Sequence, residues 1–188
     1  DFMADMSEVI LPNGHRVETW IFAKPKDEKD KPKGVEHINE AISFYSAHVG
    51  NYPYGIAQVV VTPLKAGGGM EYPTITNCAS NDRTVIVHEV GHNWFYGILG
   101  SNERDYPWMD ESFNTYYETR QHKEGKPLYE PGEKLKLPDV FTKMDQSSML
   151  FKYASRKNMD QAGNLHSTAY TDNNYGSIIY AKNPIAFE

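Results

Sequence analysis

Apolar and polar residues follow two spacings along this chain, and these spacings separate predicted strands from predicted helices. Residues 8–23 are predicted to form a β-hairpin, because apolar runs flank the dipeptide Asn13-Gly14, the strongest short hairpin signal. In residues 34–48 apolar side chains recur every three or four positions, which predicts an amphipathic helix. Residues 56–63 are β-branched and apolar, which favours a buried strand.

The middle of the chain predicts two helices joined by a loop. The first covers about residues 82–99, with a polar cap among residues 80–82 and Gly100 at its end. Residues 101–107 are predicted to reverse the chain, and a second helix covers about residues 108–123.

The remaining segments are less regular. Residues 24–33 and 125–137 are charged or rich in Gly and Pro, and we predict exposed connections there. Residues 137–157 have the apolar spacing of one or two helices, and residues 160–176 are polar and loop-like. An apolar helix is predicted to start within residues 175–182.

Length and composition predict a soluble globular segment. With 188 residues, of which 39% are hydrophobic, the chain can bury a core of about one domain. Its apolar runs are all shorter than the roughly 18 residues that span a bilayer. A net charge of −6 argues against nucleic acid and anionic membranes as partners. Cys78 is the one cysteine, so it allows no internal disulfide and indicates no redox compartment.

The first central helix carries the motif H-E-x-x-H, formed by His88, Glu89 and His92, and Glu111 follows after 18 intervening residues. Residues four apart on a helix lie about 6 Å apart along the axis on one face, so both imidazoles can reach one metal ion. Two imidazoles and a carboxylate leave the fourth position of a tetrahedral zinc open, which is typical of catalytic sites. Glu89 projects about 100° around the helix toward that position, where it can act as a general base. Asp110 is expected to cap the second helix, with orientation of a metal ligand as the alternative.

A glycine-rich segment at residues 66–70 precedes the motif. It lacks the Gly-Lys-Ser/Thr ending of a phosphate loop, so we interpret the glycines as allowing a close approach between backbone and ligand. If the segment leads into an edge strand at a cleft, a peptide can add to that strand by main-chain hydrogen bonds. Glu71 is then a carboxylate at the cleft.

Three stretches of this sequence together resemble one protein family. Glu111 lies in a W-x-x-E-x-F sequence at the stated spacing from H-E-x-x-H, and residues 68–72 (GGMEY) are similar to a G-x-M-E-N motif, with Tyr72 in place of Asn. Tyr180 lies in surroundings similar to a V-Y-x-K-G motif, with Asn183 in place of Gly. These are motifs of the gluzincin metallopeptidases of the aminopeptidase N type, and the resemblance covers roughly residues 34–188.

The resemblance implies an α+β fold like the thermolysin-like catalytic domain, with a small mixed β-sheet at the cleft and helices that carry the metal ligands. Residues 34–188 would form that domain, truncated at its C-terminal side. Residues 1–33 would be the end of a preceding β-rich domain and a linker. The chain starts at Asp1 and stops shortly after Tyr180, so we expect a piece of a longer protein with flanking domains, which by itself shows little or no activity.

For the chemistry, the resemblance implies one Zn²⁺ held by His88, His92 and Glu111. Glu89 would deprotonate the attacking water and later deliver the proton to the leaving amine. The zinc ion and Tyr180 would stabilise the tetrahedral oxyanion.

For the substrate, the resemblance implies a peptide whose free α-amino group is held by Glu71, with Gly68, Gly69 and Met70 also binding the substrate. The predicted function is therefore zinc-dependent aminopeptidase. The alternatives are a zinc endopeptidase, a small-molecule hydrolase on the same scaffold, and a catalytically silent binding module of this fold. Tyr72 leaves the endopeptidase open, whereas the complete ligand set and base disfavour the binding module.

Overall fold

The computed structural model describes residues 2–24, 34–65, 67–124, 152, 155–157 and 160–187. The chain forms two compact units, Asp1–Leu99 and Gly100–Glu188. The predicted loop at residues 125–137 lies outside the described residues, as do nearly all of the predicted connection at residues 24–33 and most of the predicted helical segment at residues 137–157.

The first unit is built on a five-stranded mixed sheet. Its strands are β1 (Met3–Ile10), β2 (Arg16–Ala23), β3 (Ile56–Val61), β4 (Gly69–Met70) and β5 (Ile75–Cys78), in the order β1-β2-β3-β5-β4. The central pairs, β2 with β3 and β3 with β5, are parallel, and the two outer pairs are antiparallel. The predicted hairpin is confirmed, with a first strand that begins at Met3 rather than at residue 8.

Two helices, α1 (Val35–His48) and α2 (Arg83–Gly91), supply the apolar partners of this sheet. Alternate residues of β2 and β3 are buried, and so are Ile38, Ala41, Ile42 and Tyr45 of α1. The ring of Tyr45 stacks on that of Trp94 with centroids 5.2 Å apart. The core of the unit therefore lies between the helices and the sheet, and the predicted helix at residues 34–48 is confirmed. The buried apolar residues of this core include Val17, Ile21, Ile38, Ala41, Ile42, Val59, Ile86 and Val87.

The β1 and β2 hairpin is continuous with the rest of the sheet. Strand β2 pairs with β3 from Glu18 opposite Ile56 to Ala23 opposite Val61. The predicted division between residues 33 and 34 stays a prediction, and any boundary placed there crosses this parallel pairing.

In the described part of the second unit, helical segments surround a cluster of aromatic and aliphatic side chains. The cluster combines buried Tyr170, Ile178 and Ile179 with partly buried Trp108, Leu165, Tyr175 and Tyr180. The segments are a π-helical turn (Trp108–Ser112), α3 (Phe113–Glu124), a 3₁₀ turn (Ser167–Ala169), α4 (Asp172–Ser177), a second π-helical turn (Ile178–Lys182) and α5 (Asn183–Ala186). The α+β class predicted from the sequence is confirmed by the two units together.

The central helices are less regular than predicted. Helix α2 ends at Gly91 and passes into a π-type turn, Asn93–Ile98, which is kinked at Phe95 and in which the Gly97 N–H bonds the His92 carbonyl. The second helix likewise opens with a π-helical turn before α3. A π-type turn is a single turn between regular helical turns, and these regular turns keep the usual spacing of apolar residues. The spacing along the sequence therefore does not reveal the π-type turn. Among the described residues, no helix has both the length and the apolar composition needed to cross a bilayer.

The burial of Ile21 tests whether the N-terminal hairpin belongs to this core. Ile21 on β2 is 0% exposed, whereas Ile10 on β1 of the same hairpin is 61% exposed. Ile21→Ala should therefore lower the free energy of unfolding by about 2–5 kcal/mol, because it removes buried methyl groups and leaves a cavity. Urea denaturation followed by tryptophan fluorescence measures this loss. The matched control Ile10→Ala should change it by less than about 0.5 kcal/mol, and equal effects of the two variants would contradict the described packing.

Candidate active site

Helix α2 brings the two histidines of H-E-x-x-H together on one face. The Nε2 atoms of His88 and His92 lie 3.2 Å apart, and the two rings are nearly perpendicular, with an interplanar angle of 83°. His92 is almost fully buried and His88 is partly buried. The i, i+4 spacing thus converges in the folded helix as the motif predicts.

The separation of these nitrogens suits a shared metal ion. Two imidazole nitrogens at about 2.0–2.1 Å from one tetrahedral zinc lie about 3.3 Å from each other. The observed 3.2 Å agrees with this value. Neutral imidazoles, like thiolates, are common zinc ligands in proteins. The two histidines therefore fit the predicted ion.

Glu89, the middle residue of the motif, is buried against the edge strand β4. A Cβ atom at Gly69 would overlap the Glu89 carboxyl carbon and would lie 2.6 Å from its Oε1 atom. Glu89 is only 6% exposed. A residue without a side chain at position 69 therefore gives the Glu89 carboxyl its place beside the backbone of β4.

The glycine-rich segment leads into an edge strand, the condition under which a peptide can pair with it. Gly69 and Met70 pair with Cys78 and Asn77 of β5, and β4 is the last strand in the sheet order. Gly68 adopts a φ of 62°, a left-handed conformation that favours glycine. Glu71 follows β4 directly and is partly buried.

Sequence analysis missed a polar contact that joins the end of the motif to the turn after Glu71. The Asn93 side chain donates to the Val90 carbonyl at 2.8 Å and accepts from the Thr74 N–H at 3.0 Å. Thr74 has a φ of 64°, which is uncommon for a residue with a branched side chain. Asn93 thus holds a strained turn beside the Glu71 segment. A polar residue within the apolar run after His92 was the available signal.

In the second unit, Glu111 and Tyr180 are brought together. Glu111 lies in the turn Trp108–Ser112 and Tyr180 in the turn Ile178–Lys182. Burial raises the pKa of the Tyr180 phenol far above its usual range, and the nearby Glu111 carboxylate and a hydrogen bond to it raise the pKa further. The phenol therefore stays protonated and donates to Glu111.

The predicted capping role of Asp110 is wrong. The helical turn starts at Trp108 with Pro107 at its N-cap position, and it has no side-chain cap. Asp110 is the third residue of the turn and is 1% exposed. Its carboxyl adds to the electrostatic rise in the Tyr180 pKa, so Asp110 lies close to Tyr180 within this unit.

Comparison with known proteins places the chain beside zinc peptidases. The sequence model described as the Peptidase family M1 domain matches residues 34–186. Aminopeptidase N of Rattus norvegicus is 21% identical over 192 residues, which cover 93% of this chain and 20% of that protein. Leucine aminopeptidase 2 of Emericella nidulans is 29% identical over 103 residues, covering 50% of this chain and 15% of that protein. The chain thus spans about a fifth or less of the length of these relatives.

Solved structures share the fold. A mutant M1 zinc metallopeptidase from Deinococcus radiodurans superposes with a TM-score of 0.60 at 18% identity, covering 98% of this chain and 39% of that one. Legionella pneumophila aminopeptidase A, in complex with aspartic acid, gives a TM-score of 0.61 at 13% identity, covering 97% of this chain and 21% of that one.

The buried thiol of Cys78 reports on the packing around Glu89. Burial, and secondly the nearby Glu89 carboxylate, raise the pKa of this thiol well above its usual range. The native thiol is therefore protonated near neutral pH, and alkylation at Cys78, followed by peptide mass spectrometry, should be far slower in the native protein than in urea. Glu89→Gln should leave it slow, because burial is the larger cause. Equal alkylation rates in native and unfolded protein would contradict the described packing.

Proposed function

The chain belongs to peptidase family M1, and from that premise we propose that it carries the catalytic centre of a zinc-dependent aminopeptidase, which hydrolyses the N-terminal residue from a peptide. The observation that carries the proposal is the convergence of His88 and His92 at 3.2 Å, with Glu89 between them in sequence and buried beside an edge strand. That arrangement combines a metal site, a base and a strand to which a peptide can pair.

One zinc ion would be held by His88, His92 and Glu111. The two histidines are supported by their geometry, and Glu111 by its spacing from the motif and by the W-x-x-E-x-F sequence around it. When bound, the ion supplies Lewis acidity, which activates a water molecule and polarises the scissile carbonyl.

Glu89 is the proposed general base. It accepts a proton from the attacking water and then gives that proton to the nitrogen of the leaving amine, so one carboxylate serves both halves of the reaction. Its burial beside β4 supports this role, because a peptide paired to the edge of β4 would place its scissile bond near the Glu89 carboxyl.

Tyr180 is the proposed oxyanion donor. Its phenol is held protonated by burial, the largest cause of its raised pKa, so it can donate a hydrogen bond to the charge that develops on the carbonyl oxygen. Because this bond strengthens as the charge develops, it acts mainly on kcat.

Glu71 is the proposed site for the α-amino group of the substrate, with Gly68, Gly69 and Met70 binding its backbone. Glu71 is partly buried and directly follows the edge strand β4. A peptide paired with that strand would place its N-terminal amino group near this carboxylate. An endopeptidase would use the same metal and base without needing Glu71. Tyr72, which is 53% exposed beside it, is the departure that keeps this alternative open.

The proposed base is tested by Glu89→Gln in the zinc-loaded, full-length protein, in which the activity tests below are also made. The amide keeps the size of the side chain but cannot accept the water proton, so kcat on an aminoacyl anilide should fall by at least about 100-fold. Zinc content, measured by elemental analysis, should stay unchanged because the ligands remain. The control Glu36→Gln, on an exposed carboxylate of α1, should leave both unchanged. Near wild-type turnover in Glu89→Gln, or zinc-free wild-type enzyme with full activity, would refute the proposal.

Substrate recognition is tested by Glu71→Ala. A carboxylate that pairs with the substrate ammonium should matter for free amines only. The variant should therefore lose at least about 10-fold more kcat/KM on a free-amine peptide than on the same peptide acetylated at its N-terminus. Equal losses on the two substrates would indicate an endopeptidase or a structural carboxylate.

The importance of the close approach between Gly69 and the Glu89 carboxyl is tested by Gly69→Val. The branched side chain would displace the Glu89 carboxyl, and catalytic groups misplaced by about 1 Å can cost about 100-fold in rate. We expect a large loss of kcat with zinc retained. Gly55→Val is the matched control, because Gly55 has open space around its Cβ position. If both variants lose the same activity, the contact with Glu89 does not matter for catalysis.

A further inference from the structure

A buried hydrogen bond joins the two helical turns that carry Glu111 and Tyr180. The Ser112 hydroxyl donates to the Ile179 carbonyl at 2.8 Å, and Ser112 is 0% exposed. Ser112 directly follows Glu111, and Ile179 directly precedes Tyr180. The bond therefore links the chain next to Glu111 to the backbone next to Tyr180.

The local sequence explains why the Ile179 carbonyl needs this partner. In a regular α-helix the N–H of residue 183 would bond it, but here the Asn183 N–H bonds the Ile178 carbonyl instead. The next residue is Pro184, which has no N–H. A buried carbonyl without a donor is costly, and the Ser112 hydroxyl supplies one.

The side chain of Asn183 completes the connection. Its Nδ2 atom donates to the Ser112 hydroxyl at 3.1 Å and to the Gly163 carbonyl at 2.9 Å. Both hydrogens of the amide are therefore used. A Cβ atom at Gly163 would overlap the Asn183 Oδ1 atom, so the glycine lets the loop approach the amide closely.

We propose that Ser112 and Asn183 are positioning residues that fix the turn carrying Tyr180 to the turn carrying Glu111. The inference rests on the proposed function, in which Tyr180 is the oxyanion donor. Neither residue contacts the substrate in this account, and both act through the two turns that they join. The motif that Tyr180 resembles has Gly at position 183, and glycine has no side chain with which to form either bond.

A double-mutant cycle in the zinc-loaded, full-length protein tests the proposal. Asn183→Ala should lower kcat on an aminoacyl anilide by about 10- to 100-fold, because the phenol is misplaced, with KM changed by less than about twofold. In a Tyr180→Phe background the same substitution should change kcat by less than about twofold, because the group that it positions is gone. Equal losses in the two backgrounds would overturn the proposal.

Two further variants separate positioning from loss of stability. Ser112→Ala removes the central hydroxyl while keeping the bond between Asn183 and Gly163. Its loss of kcat should likewise be large in the wild-type background and small in the Tyr180→Phe background. Asn174→Ala is the matched control, because Asn174 is a buried asparagine of α4 whose side chain bonds Gln161 at 2.9 Å. It should lower the melting temperature without any coupling to Tyr180→Phe.

Hydrogen exchange decides the proposal independently of activity. Asn183→Ala should speed amide exchange in residues 108–116 as well as in residues 178–187, since the two turns are joined, whereas Asn174→Ala should leave residues 108–116 unchanged. If the wild-type protein shows no zinc-dependent hydrolysis, the proposed function fails while this comparison still decides whether the pair holds the turns together. Unchanged exchange in residues 108–116 of Asn183→Ala would overturn the proposal.

Discussion

The arrangement of the candidate site depends first on the position of α2 against the sheet. Apolar residues of α2 are buried in the core of the first unit, and this packing fixes which face of the helix carries His88 and His92. The same packing sets Glu89 against the backbone of β4, where only a glycine leaves room for its carboxyl. The two histidines of the motif, the carboxyl group of Glu89 and the edge strand β4 are therefore placed by one contact between helix and sheet, which is the preorganisation that the proposed catalysis requires.

Irregular helical turns accompany the candidate site residues in both units. The turn Asn93–Ile98 begins directly after His92, Trp108–Ser112 contains Glu111, and Ile178–Lys182 contains Tyr180. A π-helical turn leaves carbonyl groups without their usual donors, and such turns occur frequently at functional sites. Here polar side chains take over part of that bonding: Asn93 bonds the Val90 carbonyl and Ser112 bonds the Ile179 carbonyl.

Features that depend on local periodicity could be predicted from the sequence. The spacing of His88 and His92, helix α1 and the hairpin turn at Gly14 all follow from neighbouring residues, and the structure has each of them. The glycine-rich segment indicated a close approach of the backbone to a ligand, whereas the close approach in the structure is between Gly69 and the Glu89 carboxyl. The bonds from Asn93 to Thr74 and from Asn183 to Ser112 join residues 19 and 71 positions apart. Such contacts arise from tertiary packing, and a local pattern does not specify which residues are the partners.

The central claim is that His88, His92 and Glu111 hold one zinc ion. Anomalous diffraction at the zinc absorption edge, from crystals of the zinc-loaded full-length protein, tests it most directly. We expect a single strong peak about 2.0–2.2 Å from the Nε2 atoms of both histidines and from a carboxylate oxygen of Glu111. A peak at other residues, or one bound to the histidines without Glu111, would contradict the account.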